Sequence, residues 1–100
     1  MSNMIYLVGR IVNDPTIKKD EKYIEVTIAV ARSFKNEEGV YETDLIPVVM
    51  WKGIADNVCE YCHKGDLIGI KGRIERLENE ELRLVADKVS FLAPARRDEK

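Results

Sequence analysis

The chain has 100 residues, 45% of them hydrophobic and 34% charged, which is typical of one globular domain. Its formal net charge of -2 excludes a generic polycation that attracts nucleic acid through total charge alone. No apolar run approaches the roughly 20 residues that a membrane helix needs. Residues 1–4 carry no basic start of a signal peptide, so we expect a cytoplasmic protein with no membrane partner.

Two strands are predicted in the first third of the chain. Residues 4–12 are mostly apolar, and Gly9 within them suggests a bend or bulge. Residues 23–34 alternate between apolar and polar side chains with the period of two that is typical of a strand. The short polar connection at residues 35–39 contains a glycine and predicts a hairpin to the next stretch.

That next stretch, residues 42–52, is a near-continuous apolar run rich in β-branched side chains. Such a composition predicts a strand that is buried on part of both faces. Alternation places its side chains on two faces, which are Leu45, Pro47, Val49 and Trp51 on one side and Asp44, Ile46, Val48 and Met50 on the other.

The spacing of apolar residues changes to that of one helix after Trp51. The helical face consists of Ile54, Ala55, Val58, Tyr61 and Cys62, and Gly65 occupies the position expected just after the helix ends. Residues 67–74 and 82–92 predict two further strands, joined by a short acidic turn at residues 77–81. Residues 94–100 form a polar tail.

The predicted order is therefore β-β-β-α-β-β in a single domain over residues 1–93. Five short strands with one helix between the third and fourth are typical of an OB-fold, a five-stranded Greek-key barrel of the all-β class.

Residues 59–63 match the C-x-x-C-H pattern of c-type haem attachment. Haem attachment requires export, and within a helix the small apolar side chains of Cys59 and Cys62 favour packing instead. Two cysteines and His63 give three zinc ligands without a second pair, and a thiol redox centre expects a βαβ setting. We therefore expect no metal and no cofactor. The chain also carries no nucleophile or phosphate-loop motif, so we do not expect an enzyme.

A sequence-tolerant site for single-stranded nucleic acid needs aromatic side chains for bases and cations for phosphates. On an OB barrel, the second and third strands form the usual binding face. Phe34 ends the second strand and Trp51 ends the third, and each has cations beside it. These cations are Arg32, Lys35 and Lys52; others on the first and fourth strands, which we expect to border this face, are Arg10, Lys71, Arg73 and Arg76. Either aromatic could belong to the core, but the repeated pairing with cations favours binding.

Several segments together resemble bacterial single-stranded DNA-binding proteins. They are residues 5–10, 14–15, 29–35, 42–51, 55–58, 64–66, 72–74 and 85–92, in register from residue 4 to residue 92. The resemblance implies an OB-fold protein that binds single-stranded DNA without sequence preference and protects it during replication, recombination or repair.

The same resemblance assigns individual positions. The base-stacking positions of the family fall on Phe34 and Trp51, and a third, often aromatic, falls on Leu45, which offers apolar contact alone. The resemblance also implies a homotetramer built from paired dimers, in which the strand at residues 4–12 pairs with its copy in a neighbour.

Two features depart from the family pattern. The hairpin at residues 77–81 is short and acidic, whereas that of the family is longer, with basic and aromatic residues. The chain ends at residues 96–100 in place of a long acidic tail that recruits partners, so we expect weaker DNA binding and little recruitment. Two alternatives stay open: an OB-fold subunit that docks a protein, which the negative net charge favours, and an OB domain that prefers RNA.

Overall fold

A computed structural model describes residues 1–95 and contains five strands and one helix. The elements are β1 (Ile5–Ile11), β2 (Tyr23–Lys35), β3 (Tyr41–Trp51), α1 (Lys52–Tyr61), β4 (Leu67–Arg76) and β5 (Leu82–Ala93). The predicted order of elements is confirmed. The predicted and observed strand ends differ most in β4, which was expected to end at residue 74 and ends at Arg76. Of the predicted tail, residues 96–100 lie outside the described part of the chain.

The five strands form a closed barrel with the neighbour order β1-β2-β3-β5-β4. All pairs are antiparallel except β3 and β5, which run parallel and pair at Val48↔Leu84 and Val49↔Val85. This arrangement, with α1 between β3 and β4, confirms the predicted OB-fold.

The core forms where alternate side chains of the strands point into the barrel. Ile28, Val48 and Met50 are fully buried there, and Ala55 and Val58 of α1 pack against the same cluster. Burying a side chain of this kind contributes about 1.5–3 kcal/mol. The side chains on the opposite face of β2 and β3 point away from the core and are available to contact a ligand.

Of the bend or bulge predicted at Gly9, the bulge is wrong. β1 pairs with β4 in an unbroken register from Ile5↔Gly72 to Arg10↔Leu67. A Cβ atom added to Gly9 would lie 2.4 Å from the carbonyl oxygen of Ala29, so glycine here allows β2 to approach β1 closely.

The prediction that Gly65 directly follows the helix is also wrong. α1 is capped at Cys62, whose backbone is already extended. Gly65 does have a positive φ of 89°, but it lies in the next turn, where the Asp66 backbone N–H donates to the His63 carbonyl at 3.0 Å. The Asp66 carboxylate stabilises this turn because it accepts the His63 N–H at 2.8 Å.

The two cysteines of the C-x-x-C-H pattern pack against the core. Cys62 is buried and Cys59 is partly buried. Burial raises the pKa of both thiols, and the neighbouring carboxylates of Asp56 and Asp66 raise it further. Protonated thiols are weak ligands and nucleophiles. Within residues 1–95 there is no cluster of three metal-binding side chains, and no helix there is long and apolar enough to cross a membrane.

Candidate nucleic-acid interface

The outward side chains of β2 and β3 form one continuous surface, which we call the β2–β3 face. Cross-strand pairing sets its rows at Tyr23↔Trp51, Glu25↔Val49, Thr27↔Pro47, Ala29↔Leu45 and Ala31↔Thr43. Glu25 is exposed, and its Oε2 lies 3.2 Å from Nε of Arg83 on β5. Most of these side chains are small, so the face is a shallow path with bulkier apolar groups at intervals. The face predicted for Leu45, Pro47, Val49 and Trp51 is confirmed, although Val49 is itself buried.

Trp51 has an aromatic partner directly across the strand pair. Its ring centroid lies 5.2 Å from that of Tyr23, with the planes tilted by 59°. Both side chains remain nearly half exposed, at 45% and 47%. The tilted contact fixes the Trp51 ring without covering it, so it can still stack on a flat ligand. The sequence interpretation missed Tyr23, because the register is irregular between Ala31 and Lys35 and counting back from Lys35↔Tyr41 would pair Trp51 with Glu25 instead.

Phe34 lies at the other end of the same ribbon, near the tip of the β2–β3 hairpin. It is 67% exposed, and the register of the strand pair is irregular between Ala31 and Lys35. Phe34 is eleven residue steps along β2 from Tyr23, which corresponds to roughly 35 Å. Leu45, 63% exposed, lies between the two ends. The three predicted stacking positions therefore form a line and not a cluster.

Arg32 at the hairpin tip is held by two carboxylates of β3. Its Nη1 lies 2.6 Å from Glu42 Oε1, and its Nε lies 3.0 Å from Asp44 Oδ2. The hydrogen bond from Arg32 lowers the pKa of Asp44, and the same pair raises the pKa of Arg32. Any phosphate that binds Arg32 must therefore compete with carboxylates already in place.

Lys35 has a different environment at the same tip. Its Nζ lies 5.7 Å from the centroid of the Tyr41 ring, a cation–π distance that leaves the ammonium accessible to an anion.

Arg10 lies on β1 in the row next to Ala29 and Leu45. Its Nη1 donates to the carbonyl oxygens of Gly65, at 3.0 Å, and Pro94, at 3.3 Å. Arg10 thus borders the β2–β3 face while joining the end of β5 to the turn before β4.

Two of the three predicted cations of β4, Lys71 and Arg73, do not border the β2–β3 face in the way that the sequence suggested. β5 separates β4 from β3, and β1 separates it from β2. Arg73 binds the carboxylates of Glu75 and Asp87, and Lys71 lies opposite Tyr6 and Lys88. The expectation that β4 borders this face is wrong, because strand order in the barrel differs from order in the chain. The DNA-binding roles of Lys71 and Arg73 stay predictions.

Two predicted cations lie near Trp51. Lys52 begins α1 and pairs with Asp56 at 3.4 Å. Arg76 lines a groove beside Trp51, and its Nη1 donates to the Glu80 carbonyl at 2.7 Å. The groove has a volume of about 570 Å³, and its lining consists of Lys22, Tyr23, Val49 and Trp51 on the barrel side and residues 75–79 on the hairpin side.

Comparison with known proteins agrees with this architecture. Residues 2–92 match the model of the Single-strand binding protein family. The chain is similar to Single-stranded DNA-binding protein B of Bacillus subtilis (strain 168), at 38% identity over 98% of this chain and 96% of that protein. It is also similar to Single-stranded DNA-binding protein 1 of Staphylococcus aureus (strain MSSA476), at 36% identity over 99% of this chain and 70% of that protein. Single-stranded DNA-binding protein 2 of Staphylococcus aureus (strain COL) shares 40% identity over 94% of this chain and 76% of that protein. The chain belongs to the single-strand binding protein family.

Proposed function

We infer that the chain binds single-stranded DNA without sequence preference and protects it during replication, recombination or repair. The observation that carries this conclusion is the half-exposed Trp51 ring, held by Tyr23 on the face that OB-folds use for oligonucleotides. Family membership and the names of the relatives from Bacillus subtilis and Staphylococcus aureus support it.

Binding would follow the line of apolar side chains along the β2–β3 face. Bases stack on Trp51 and Phe34 and contact Leu45, and phosphates are met by Arg10, which lies opposite Ala29, and by Lys35 at the hairpin tip. Stacking tolerates any sequence because every base has a π-face. Thr27, Ala29 and Pro47 between Trp51 and Leu45 are small, and the Glu25 carboxylate on the same face is paired with Arg83 at 3.2 Å.

The remaining predicted cations have weaker support. Arg32, Lys52 and Arg73 are paired with carboxylates, so their contribution to phosphate binding depends on exchange of partners. Lys71 forms no ion pair within residues 1–95, but it lies on β4, away from the β2–β3 face. A strand of DNA that reached Lys71 would have to pass around the barrel.

We also propose a homo-oligomer, a tetramer built from dimers, in which β1 pairs with its copy. Tyr6, Val8 and Leu92 are exposed apolar side chains on this side of the barrel. β1 pairs with β2 at Arg10 and Ile11, which leaves the edge at residues 5–8 available to a second copy. Sedimentation of the purified chain tests this assembly, and a monomer at all concentrations would contradict it. A cytoplasmic location stays a prediction from the sequence.

The DNA-binding function is tested by titration with oligo-dT while the fluorescence of the single tryptophan is recorded. We expect strong quenching, with an affinity that falls as salt rises because phosphate contacts release counterions. Absence of quenching, together with no retention of labelled oligo-dT on filters, would refute the proposal. It would favour the alternative in which the barrel docks a protein. Tighter binding of oligo-U than of oligo-dT would favour the RNA-preferring alternative.

A further inference from the structure

One ion pair joins the β2–β3 face to a strand outside it. Arg83 lies on β5, and its Nε lies 3.2 Å from Oε2 of Glu25 on β2. Because β3 lies between β5 and β2 in the barrel, this contact passes over β3. Val49 of β3 pairs there with Val85 of β5, and both are buried although neither belongs to the core cluster. The side chain of Arg83 therefore extends from β5 onto the β2–β3 face.

Carboxylates hold Arg83, but they do not use all of its hydrogen-bond donors. Its Nη2 donates to Oε1 of Glu81 at 2.8 Å, and its Nη1 donates to the Leu82 carbonyl at 3.4 Å. Glu75 lies opposite Arg83 on β4, but its Oε2 is 2.7 Å from Nη2 of Arg73. A guanidinium has five N–H donors, so donors remain with which Arg83 can bind an anion while it keeps these two bonds.

Within residues 1–95, the middle of the β2–β3 face has no cation of its own. Between Trp51 and Leu45, six residue steps along β3 correspond to roughly 20 Å. The outward side chains in this interval are Glu25, Thr27, Pro47 and Val49. The Glu25 carboxylate repels phosphate, and Arg10 and Arg76 lie near the two ends of the interval, not inside it. DNA that contacts both Trp51 and Leu45 must pass this carboxylate.

We propose that Arg83 binds a phosphate of the DNA between Trp51 and Leu45, and that Glu25 competes with this phosphate for the guanidinium. Arginine binds phosphate through charge-assisted and often bidentate hydrogen bonds, so the phosphate can replace the Glu25 contact. The inference rests on the proposed single-stranded DNA binding and adds to it a contact from β5, a strand that the sequence did not assign to the site.

The contact is measured from the salt dependence of oligo-dT binding in Glu25→Gln, where the competing carboxylate is absent. This variant should bind oligo-dT more tightly than the parent at low salt. Adding Arg83→Met keeps an unbranched apolar side chain over the valines and removes the charge. The slope of the logarithm of the binding constant against the logarithm of salt concentration should then become shallower by up to about 0.7. Over a tenfold rise in salt, this corresponds to about a fivefold smaller loss of affinity.

Two variants serve as matched controls. Glu60→Gln removes the same charge as Glu25→Gln from an exposed position on α1 and should bind like the parent. Lys88→Met, added to Glu25→Gln, removes a cation from β5 five residues beyond Arg83, a distance of roughly 16 Å. This exceeds the Debye length of about 10 Å at 0.1 M salt, so the slope of Glu25→Gln should be retained.

Equal slopes for Glu25→Gln and Glu25→Gln/Arg83→Met would overturn the contact, because Arg83 would then serve to neutralise Glu25 alone. An equal decrease in slope with Lys88→Met would overturn it as well, since it would reveal a general effect of charge. If the unmodified chain did not bind oligo-dT at any salt concentration, the proposed function itself would fail, which is a different outcome.

A measurement on the unmodified chain does not depend on the folding of a variant. The NMR signal of the Arg83 Nε–H should shift when oligo-dT is added, because Nε exchanges the Glu25 carboxylate for a phosphate. Arg83→Lys lacks this N–H and identifies the signal. A signal that did not move when oligo-dT saturates the protein would overturn the proposal.

Discussion

The two ends of the β2–β3 ribbon carry the same sequence pattern, an aromatic residue beside a cation, in different surroundings. At one end, Trp51 packs against Tyr23 over the closed barrel. At the other end, all β2 residues from Ala31 to Lys35 are exposed, and Phe34 has no aromatic partner within residues 1–95. One stacking residue is thus held against a neighbouring ring, whereas the other is exposed without such support. Pre-organisation favours the first because less side-chain entropy is lost on binding.

The largest expected effect is a difference between Trp51→Ala and Phe34→Ala. Loss of one stacking contact costs about 1–3 kcal/mol of binding free energy. We expect Trp51→Ala to lie near the upper end of that range and Phe34→Ala near the lower end. Equilibrium binding of labelled oligo-dT at one salt concentration measures both.

Tyr61→Ala is the control for this comparison, since it removes a 65% exposed aromatic ring from α1, away from the β2–β3 face. Its affinity should equal that of the parent. If Phe34→Ala lost as much binding free energy as Trp51→Ala or more, the contact of Trp51 with Tyr23 would not determine how much a stacking residue contributes.

A smaller effect is expected midway between the two ends, at Leu45. This side chain is 63% exposed and borders the small side chain of Ala29, so a larger ring fits without entering the core. Leu45→Phe supplies a π-face and should strengthen oligo-dT binding by about 1 kcal/mol. Leu45→Ala, which removes apolar contact, should weaken it slightly. Unchanged oligo-dT affinity in both variants would show that the DNA does not pass over Leu45.

A smaller effect still is expected when the ion pairs at the tip are weakened. Asp44→Asn removes one of the two carboxylates that hold Arg32 and so makes its guanidinium available to phosphate. We expect tighter oligo-dT binding at low salt. The slope of the logarithm of the binding constant against the logarithm of salt concentration should steepen by up to about 0.7, the value for one phosphate contact on a single strand. Glu60→Gln controls for the change in net charge. An unchanged slope would exclude Arg32 from the DNA path.

The fold could be predicted from the sequence because it depends on local patterns. The alternation in residues 23–34, the apolar run at residues 42–52 and the helical spacing after Trp51 each specify one element. Their order leaves few ways to bury every apolar face, and the OB barrel is one of them. The exposed positions of Leu45 and Trp51 on one face followed from alternation in β3, whereas Phe34 was added by its place at the end of the second strand and by the family resemblance.

The parts that could not be predicted depend on contacts between residues far apart in the chain. Strand order moved Lys71 and Arg73 away from the β2–β3 face, because the parallel contact of β3 with β5 has no local sequence signal. The carboxylates that bind Arg32 come from the opposite strand. Gly9 is required by the nearby Ala29 carbonyl on β2, not by a bulge in its own strand.

The smallest expected effect is the pH dependence of the hairpin tip. The hydrogen bond from Arg32 lowers the pKa of Asp44 in the folded chain. The pair therefore contributes stability that is fully present above the ordinary carboxyl pKa of about 3.9, and that is lost as pH falls through the lower folded-state value. NMR titration of the Asp44 carboxyl carbon should give a lower midpoint in the parent than in Arg32→Gln. Identical midpoints would contradict the pairing.

The contribution to overall stability is small because both side chains are nearly half exposed, at 45% for Arg32 and 47% for Asp44. Hydrogen exchange should therefore quicken first at the amides of the tip as the pH falls, while those of Ile28 and Val48 in the core keep their protection. Simultaneous loss of protection in both places would mean that the tip and the barrel unfold as one unit. In that case Phe34 would be as firmly positioned as Trp51, and the difference expected between their alanine variants should disappear.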